Sequence, residues 1–289
     1  MKVSLVLATL GRDCEVLDFL KSLLFQTYKN FELIVIDQNR DGKIDAILDA
    51  YKALMDIKHI KVDFTGNARA RDYGIGLAQG RIVAFPDDDC AYDKDVLEKV
   101  VAEFKRRKDL AILVAGSYDF SANRFSIGVN SHKAGYFNRF RMMGVEFTQF
   151  FDLQRVDRRQ FHLDHDFGIG SKYSGAEGFE LLYRLLRAGG NAFYTPEIKI
   201  FHANKDHYKL GTARMLMYST GIGAYIRKFT NQHDVFIWYY IVRKMFVAPL
   251  LKMALALVTF NPQKLAYSFY NLVGIWRGFL AYRKSEKCI

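Results

Sequence analysis

Three successive carboxylates, Asp87, Asp88 and Asp89, follow the apolar run RIVAF (Arg81 to Phe85) and Pro86. Side by side at the end of a buried strand, they repel one another unless a cation or bulk water relieves them. A hard divalent ion, Mg²⁺ or Mn²⁺, is a natural partner, held by one or two carboxylates and bridging to phosphate oxygens. The same run also reads as a solvated turn ahead of a helix starting at Asp93, where acids favour the helix N-terminus. A further acid, Asp37, closes the run FELIVID. Cys90 lies beside the acidic loop and suits packing better than ligation. With Cys14 and Cys288 it makes an odd set without CxxC spacing. Such a set reads as reduced thiols in a cytosolic compartment, not as a disulfide framework.

These acids need a frame, and the first 120 residues supply one. VSLVLA (Val3 to Ala8) predicts a strand, and Val16, Leu17, Leu20, Leu23 and Leu24 recur at helical spacing. Phe31 to Asp37, Ile60 to Phe64, Arg81 to Phe85 and Ala111 to Ala115 read as further strands. Helices are expected at 44–55, 68–78 and 93–105. Strand and helix in alternation predict an α/β fold with a mostly parallel sheet covered on both faces. Ligands of such sheets bind beyond the carboxyl ends of the strands, where Asp37 and Asp87–Asp89 stand. Residues 117–170 are rich in aromatics and show short strands at best. A helix is expected over 177–188, stopped by Gly189-Gly190. NAFYTPEIKIFH then reads as two strands separated by Pro196.

Half of the residues are hydrophobic and only four are proline, which argues against disorder. The N-terminal apolar stretch is too short for a signal peptide. Of the net charge of +11, residues 211–289 carry +9, from eleven Lys and Arg against Asp234 and Glu286. The apolar runs VFIWYYIV, MFVAPLL, MALALVTF and LAYSFYNLVGIW lie between these cations. None reaches the roughly 18–20 residues that span a bilayer. Aromatic, apolar helices edged by Lys and Arg are expected to lie in a membrane surface, the cations on lipid phosphates. The alternative is a helical subdomain with its charges in water. Nucleic acid is not expected as a partner, because long aliphatic stretches interrupt the basic residues.

The ordered set VSLVLATLGR, FELIVIDQN, GNARARDYGIGLAQGRIVAFPDDD and FGIGSKYSGAEGFELLYRLLRAGG resembles the inverting family 2 glycosyltransferases. YSTGIGAYIRK and the tail resemble members that build bacterial surface polysaccharides on lipid carriers. The resemblance implies the GT-A fold, a Rossmann-like sheet that binds nucleotide-diphospho-sugars. Residues 1–210 would form this catalytic domain, and 211–289 a helical, membrane-associated region. It further implies that Thr9 and Asp37 line the nucleotide base, where a carboxylate can accept the imide N–H of uracil. Gln38 stands where the family often has a second Asp. Arg71 would lie near the base and phosphates, suited to a diphosphate, or be a surface residue of its helix. Asp87 and Asp89 would be the metal-binding pair, with Asp88 between them on the nucleotide. His202 would complete the metal site, whereas His207 has no counterpart. The family commonly shows Glu-Asp at the head of the acceptor helix; here the pair is Glu177-Gly178. Glu177 is the expected catalytic base, with Asp166 and Glu180 as alternatives. Ser174 to Glu177 also has the spacing of a helix capping box.

The resemblance implies transfer of a hexose from a nucleotide sugar, a UDP-hexose, to a hydroxyl of a lipid-linked saccharide, with Mn²⁺ or Mg²⁺ as cofactor. The enzyme would be peripheral on the cytoplasmic face of the cell membrane. The rival readings are transfer onto a polyprenyl phosphate itself, and a non-catalytic membrane-bound scaffold with a degenerate transferase fold.

Overall fold

The computed structural model of the chain describes residues 1–120, 124–203 and 211–283. His207 and Cys288 lie outside them. Strands and helices run in the order β1 (Val3–Thr9), α1 (Cys14–Leu24), β2 (Phe31–Asp37), α2 (Asp45–Lys52), β3 (Ile57–Lys61), α3 (Asn67–Ile75) and β4 (Ile82–Ala84). They continue with β5 (Cys90–Tyr92), α4 (Val96–Arg106), β6 (Ile112–Tyr118), β7 (Gly135–Phe137), β8 (Gln149–Asp152), α5 (Glu177–Arg187) and β9 (Ala192–His202). Helices α6 (Thr212–Asn231), α7 (Ile237–Tyr240), α8 (Ala248–Val258) and α9 (Pro262–Ala281) follow, and a π-helical stretch, Ile241–Val247, joins α7 to α8. Two compact units emerge: Met1–Leu163 with Leu181–Asn204, and Asp164–Glu180 with Lys205–Ile289. The second takes in a segment ahead of α5 that the expected boundary at residue 210 had assigned to the catalytic domain.

In the first unit the sheet order is β3-β2-β1-β4-β8-β6-β9-β5, with β7 paired to β9. β1, β2 and β6 are buried along their whole length, which is why they read as unbroken apolar runs. Glycine lets α3 approach them: a Cβ on Gly74 would collide with Val6 and come within 3.3 Å of Ile36. The sheet is mixed, not mostly parallel as expected. β1 is parallel to β2 and β4, β2 to β3, and β6 to β9, but β8 lies antiparallel between β4 and β6. A parallel return needs a long crossover, usually a helix. Among the described residues between β6 and β8 the chain forms only β7 and two short 3₁₀ turns, and it returns antiparallel. The expected break at Pro196 is also corrected, because β9 is one strand. Its pairing with β6 jumps from Ala115↔Thr195 to Gly116↔Lys199. Pro196, which has no N–H to give, sits in that bulge outside the ladder.

The helical unit owes its tight packing to glycine. A Cβ on Gly223 of α6 would lie 2.7 Å from the Phe279 nitrogen of α9, and one on Gly274 would lie 2.6 Å from the Leu216 carbonyl oxygen. Backbone therefore meets backbone where these helices cross. Gly221 plays the same part toward the segment ahead of α5, with the Ser174 carbonyl oxygen 2.7 Å from where its Cβ would be. Among the described residues no helix is long and apolar enough to cross a membrane. The α7–α9 stretch nevertheless exposes Trp238, Leu251, Leu255, Val258 and Phe260, the last at 91%.

Candidate active site

Parallel pairing puts the ends of β1 and β2 side by side, Thr9 opposite Asp37. β4 joins them on the other edge of β1, Leu5 opposite Ala84, so the Asp87–Asp89 loop emerges at the same end of the sheet. β9 runs antiparallel to β5 with His202 opposite Cys90, which delivers the imidazole to the acidic loop. One ligand atom from each of Asp87, Asp89 and His202 lies within 4.8 Å of the others. The side chains of Asp88 and Asp89 are only 13% and 14% exposed, which rules out a freely solvated turn.

The arrangement of His202 fits a cation. Its Nδ1 lies 2.8 Å from the Ala203 carbonyl, which can only accept, so Nδ1 carries the proton. In the neutral ring Nε2 then turns a lone pair toward Asp89 Oδ1, 3.2 Å away. Those two atoms repel unless a metal ion or a second proton lies between them. Phe147 stacks on the ring at 5.0 Å and 15° and fixes its plane. Two carboxylate oxygens and an imidazole nitrogen suit Mn²⁺ or Mg²⁺. Cys90 is buried, with its thiol pushed well above the ordinary range by desolvation, as befits a packing residue.

Arg12, which no sequence pattern singled out, bridges the loop. Its Nη1 lies 2.8 Å from Asp88 Oδ1 and 2.7 Å from Asp89 Oδ2. The Thr9 hydroxyl donates to Asp88 Oδ2 at 2.8 Å. Burial pushes the Asp88 carboxyl up to about 6, against the pull of Arg12 and Thr9, with Asp87 and Asp89 adding repulsion.

Arg71 is 1% exposed and not a surface residue of its helix. Its Nη2 lies 2.6 Å from Asp87 Oδ1, and its Nη1 lies 2.9 Å from Glu146 Oε2. The guanidinium thus stands behind Asp87 and aims it. Glu146, from the segment that sequence patterns left unread, is its second counter-charge. Asp37 is wholly buried. Its Oδ1 accepts from the Asn39 backbone and side-chain N–H groups at 2.8 Å each, and its Oδ2 meets His59 Nε2 at 2.9 Å. Gln38, in place of a second Asp, turns its Oε1 to the Gly66 N–H at 2.8 Å.

Glu177 belongs to the helical unit, where it opens α5 and is buried. Ala176 caps that helix: its carbonyl accepts from the Glu180 N–H at 2.8 Å. Its φ of +67° is a left-handed value uncommon for a residue with a Cβ. Ser174 therefore stands outside the first turn, which corrects the capping-box reading of Ser174 and Glu177. Glu180 is fully buried, and its carboxylate accepts from Lys228 Nζ at 2.6 Å while Asp164 takes the same ammonium at 2.6 Å. A carboxylate so neutralised is a structural partner, which sets Glu180 aside as base. Half-buried Asp166 stays an alternative to Glu177.

Residues 4–167 match the family model described as glycosyl transferase family 2. The chain is 31% identical over 156 residues to an uncharacterized glycosyltransferase of Haemophilus influenzae, covering 50% of this chain and 60% of that one. It is 29% identical over 120 residues to the glucosyl-dolichyl phosphate glucuronosyltransferase of Haloferax volcanii, covering 40% of this chain and 38% of that one. The match thus spans less than two thirds of either relative. Two solved structures share the GT-A-like mixed α/β sheet. Staphylococcus aureus TarS with UDP superposes with a TM-score of 0.60 at 14% identity, over 96% of this chain and 91% of that one. Pyrobaculum calidifontis mannosyltransferase PcManGT, solved with GDP-Man and Mn²⁺, gives 0.65 at 13%, over 96% and 86%. At these identities the likeness to the two structures is one of fold. The family match extends over more than half of the sequence, and the chain belongs to glycosyl transferase family 2.

Proposed function

We propose that the protein moves a hexose, with inversion at its anomeric carbon, from a nucleotide sugar to a hydroxyl of a lipid-linked saccharide in polysaccharide or glycan assembly. The observation that carries this reading is the Asp87–Asp89–His202 cluster at the carboxyl end of the sheet. Those three residues would hold Mn²⁺ or Mg²⁺, which when bound supplies Lewis-acid neutralisation of the departing diphosphate. Arg71 keeps Asp87 aimed, and Thr9 keeps Asp88 turned toward the nucleotide. Arg12 offers a guanidinium suited to phosphate oxygens. The Asp37 carboxylate, anchored by Asn39 and His59, keeps lone pairs for the imide N–H of a uracil, so UDP is the proposed carrier. Glu177 takes the proton of the acceptor hydroxyl as it attacks. Exposed aromatics and cations of α7–α9 support a peripheral site of action on the cytoplasmic face of a membrane. Gly178, where the family commonly has Asp, favours one second reading: transfer onto a polyprenyl phosphate, whose anionic oxygen needs no strong base. Products from bare polyprenyl phosphate and from a diphosphate-linked glycan, separated by chromatography, distinguish the two.

A thermal-shift panel of UDP- and GDP-sugars with and without Mn²⁺ tests the donor site. A ligand at one hundred times its Kd stabilises by about 2.7 kcal/mol. The expected result is a Mn²⁺-dependent rise with a UDP-hexose that Asp89→Asn abolishes while leaving the unliganded melting temperature within a few degrees. A panel flat with and without metal overturns the reading.

A further inference from the structure

Within the helical unit lies a cavity of about 380 Å³, lined by none of the residues assigned to the donor. Lys172, Arg277, Ser174 and Thr220 line it together with Leu216 and Met217 of α6. The walls are fixed. The Tyr173 hydroxyl donates to the Ala281 carbonyl at 2.9 Å and accepts from the Arg283 N–H at 3.0 Å, tying the end of α9 to the segment ahead of α5. Gly221 and Gly278 let α6 touch that segment and α9 through backbone, which sets the spacing of the elements around the cavity.

Its charge is one-sided. The lining holds two cations and no carboxylate. Among the described residues the Lys172 ammonium reaches only the Arg283 carbonyl, at 3.3 Å, and the Tyr173 ring, at 5.3 Å. Among the same residues Arg277 has no carboxylate within ion-pair distance. Two cations and the Ser174 hydroxyl beside an apolar lining match a phosphate or diphosphate carrying a hydrocarbon chain, while the Thr220 hydroxyl donates to the Met217 carbonyl at 2.6 Å. Ser174 on the wall is three residues ahead of Glu177.

We infer that this cavity is the anchoring subsite for the diphosphate and first isoprenoid units of the acceptor lipid, held by Lys172 and Arg277. The inference rests on the proposed lipid-linked acceptor and adds to it the residues that recognise the carrier. It also explains why Asp164–Glu180 forms one unit with α6 and α9. The segment that bears the candidate base then shares a wall with the segment that grips the acceptor.

Isothermal titration of the full chain in detergent tests it, with farnesyl diphosphate as the probe. Farnesol, inorganic pyrophosphate and dioleoyl phosphatidylglycerol serve as controls, and Lys172→Ala/Arg277→Ala as the variant. Farnesyl diphosphate should bind at least about tenfold more tightly than farnesol or pyrophosphate, because chain and charge both contribute, and the double variant should lose at least about tenfold. Its UDP-sugar thermal shift and melting temperature should be unchanged, and Arg277→Lys should recover part of the binding. No binding of farnesyl diphosphate, or equal binding by the variant, overturns the subsite. Phosphatidylglycerol bound as tightly as farnesyl diphosphate also overturns it, making the cavity a foothold for bulk lipid. A retained UDP-sugar shift alongside any of these failures leaves the transferase reading standing, whereas loss of that shift in the wild type is failure of the donor site.

Discussion

Arg12 lies between Asp88 and Asp89, where a divalent cation would also be drawn, so guanidinium and metal draw on the same carboxylate charge. Arg12→Ala should therefore bind Mn²⁺ several-fold more tightly while raising the KM for the nucleotide sugar. For a partly exposed pair the change in metal affinity is on the order of 1 kcal/mol, about fivefold. Calorimetric Mn²⁺ titration at low salt measures it, and weaker metal binding by the variant would show that Arg12 supports the ion instead. Asp88 gives the loop a pH signature. Its carboxyl is raised to about 6 by burial in the folded chain, from an ordinary value of 3.8. The unfolded chain thus releases this proton first. In metal-free protein, the contribution of Asp88 to stability falls as pH rises from about 4 through 6 and is lost above that window. Asp88→Asn should remove this fall and, at pH 7 in EDTA, raise stability by on the order of 3 kcal/mol, seen as a higher melting temperature. Thermal melts at pH 4.5 and pH 7 compare the two proteins. Three carboxylates in a row marked a candidate site in the sequence, since their repulsion calls for a cation or water. Arg12 was not legible, because one Arg in a loop carries no spacing signal. Neither was Glu146, since its pairing with Arg71 joins residues 75 positions apart.

Among the elements, what the sequence showed and what it hid divide by length. β1 and β2 are seven-residue apolar runs with both faces buried, and their limits could be read almost to the residue. β5 has three residues, too few to display a period, and it exists because β9 offers an edge to it. Pro196 misled in the other direction. A proline inside an apolar run reads as a break, but a bulge absorbs it when the partner strand supplies Gly116, whose missing Cβ would lie 3.2 Å from Pro196 Cα. The glycines of α6 and α9 carry the same lesson, since in sequence they only weaken a helix. In the fold they bring two backbones together, so a methyl group there has no space. Gly223→Ala should lower stability by about 1–3 kcal/mol, the usual range for overpacking. Exposed Ala102 of α4 isolates the propensity effect, and there Ala102→Gly should lower stability by about 1 kcal/mol. Chemical denaturation of the two variants gives the comparison. If Gly223→Ala gained as much stability as Ala102→Gly loses, propensity and not helix contact would decide the α6–α9 crossing.

On the scale of the whole molecule, the charge count and the exposed surface of the tail point the same way. Arg243, Lys252 and Lys264 are exposed. They stand among Trp238 at 60%, Leu251 at 65%, Val258 at 76% and Phe260 at 91% exposure. Large exposed apolar patches on a soluble surface mark an interaction site. Aromatic rings favour the headgroup boundary, and each basic residue near an anionic leaflet contributes on the order of 1 kcal/mol. The two forces differ in their response to salt. Charge attraction is screened over a Debye length of about 8 Å at physiological ionic strength, whereas apolar contact is not. The full chain should therefore float with phosphatidylglycerol vesicles at low salt. It should bind less at about 0.5 M salt without detaching completely, and float less with neutral vesicles. Trp238→Ala/Phe260→Ala should weaken the salt-resistant part, and Arg243→Ala/Lys252→Ala the salt-sensitive part. Each pair should leave the UDP-sugar thermal shift in place, because none of these residues is assigned to the donor site. A full chain that stays at the bottom of the gradient with both vesicle types would show that these helices pack in water, and the peripheral membrane reading would then be wrong.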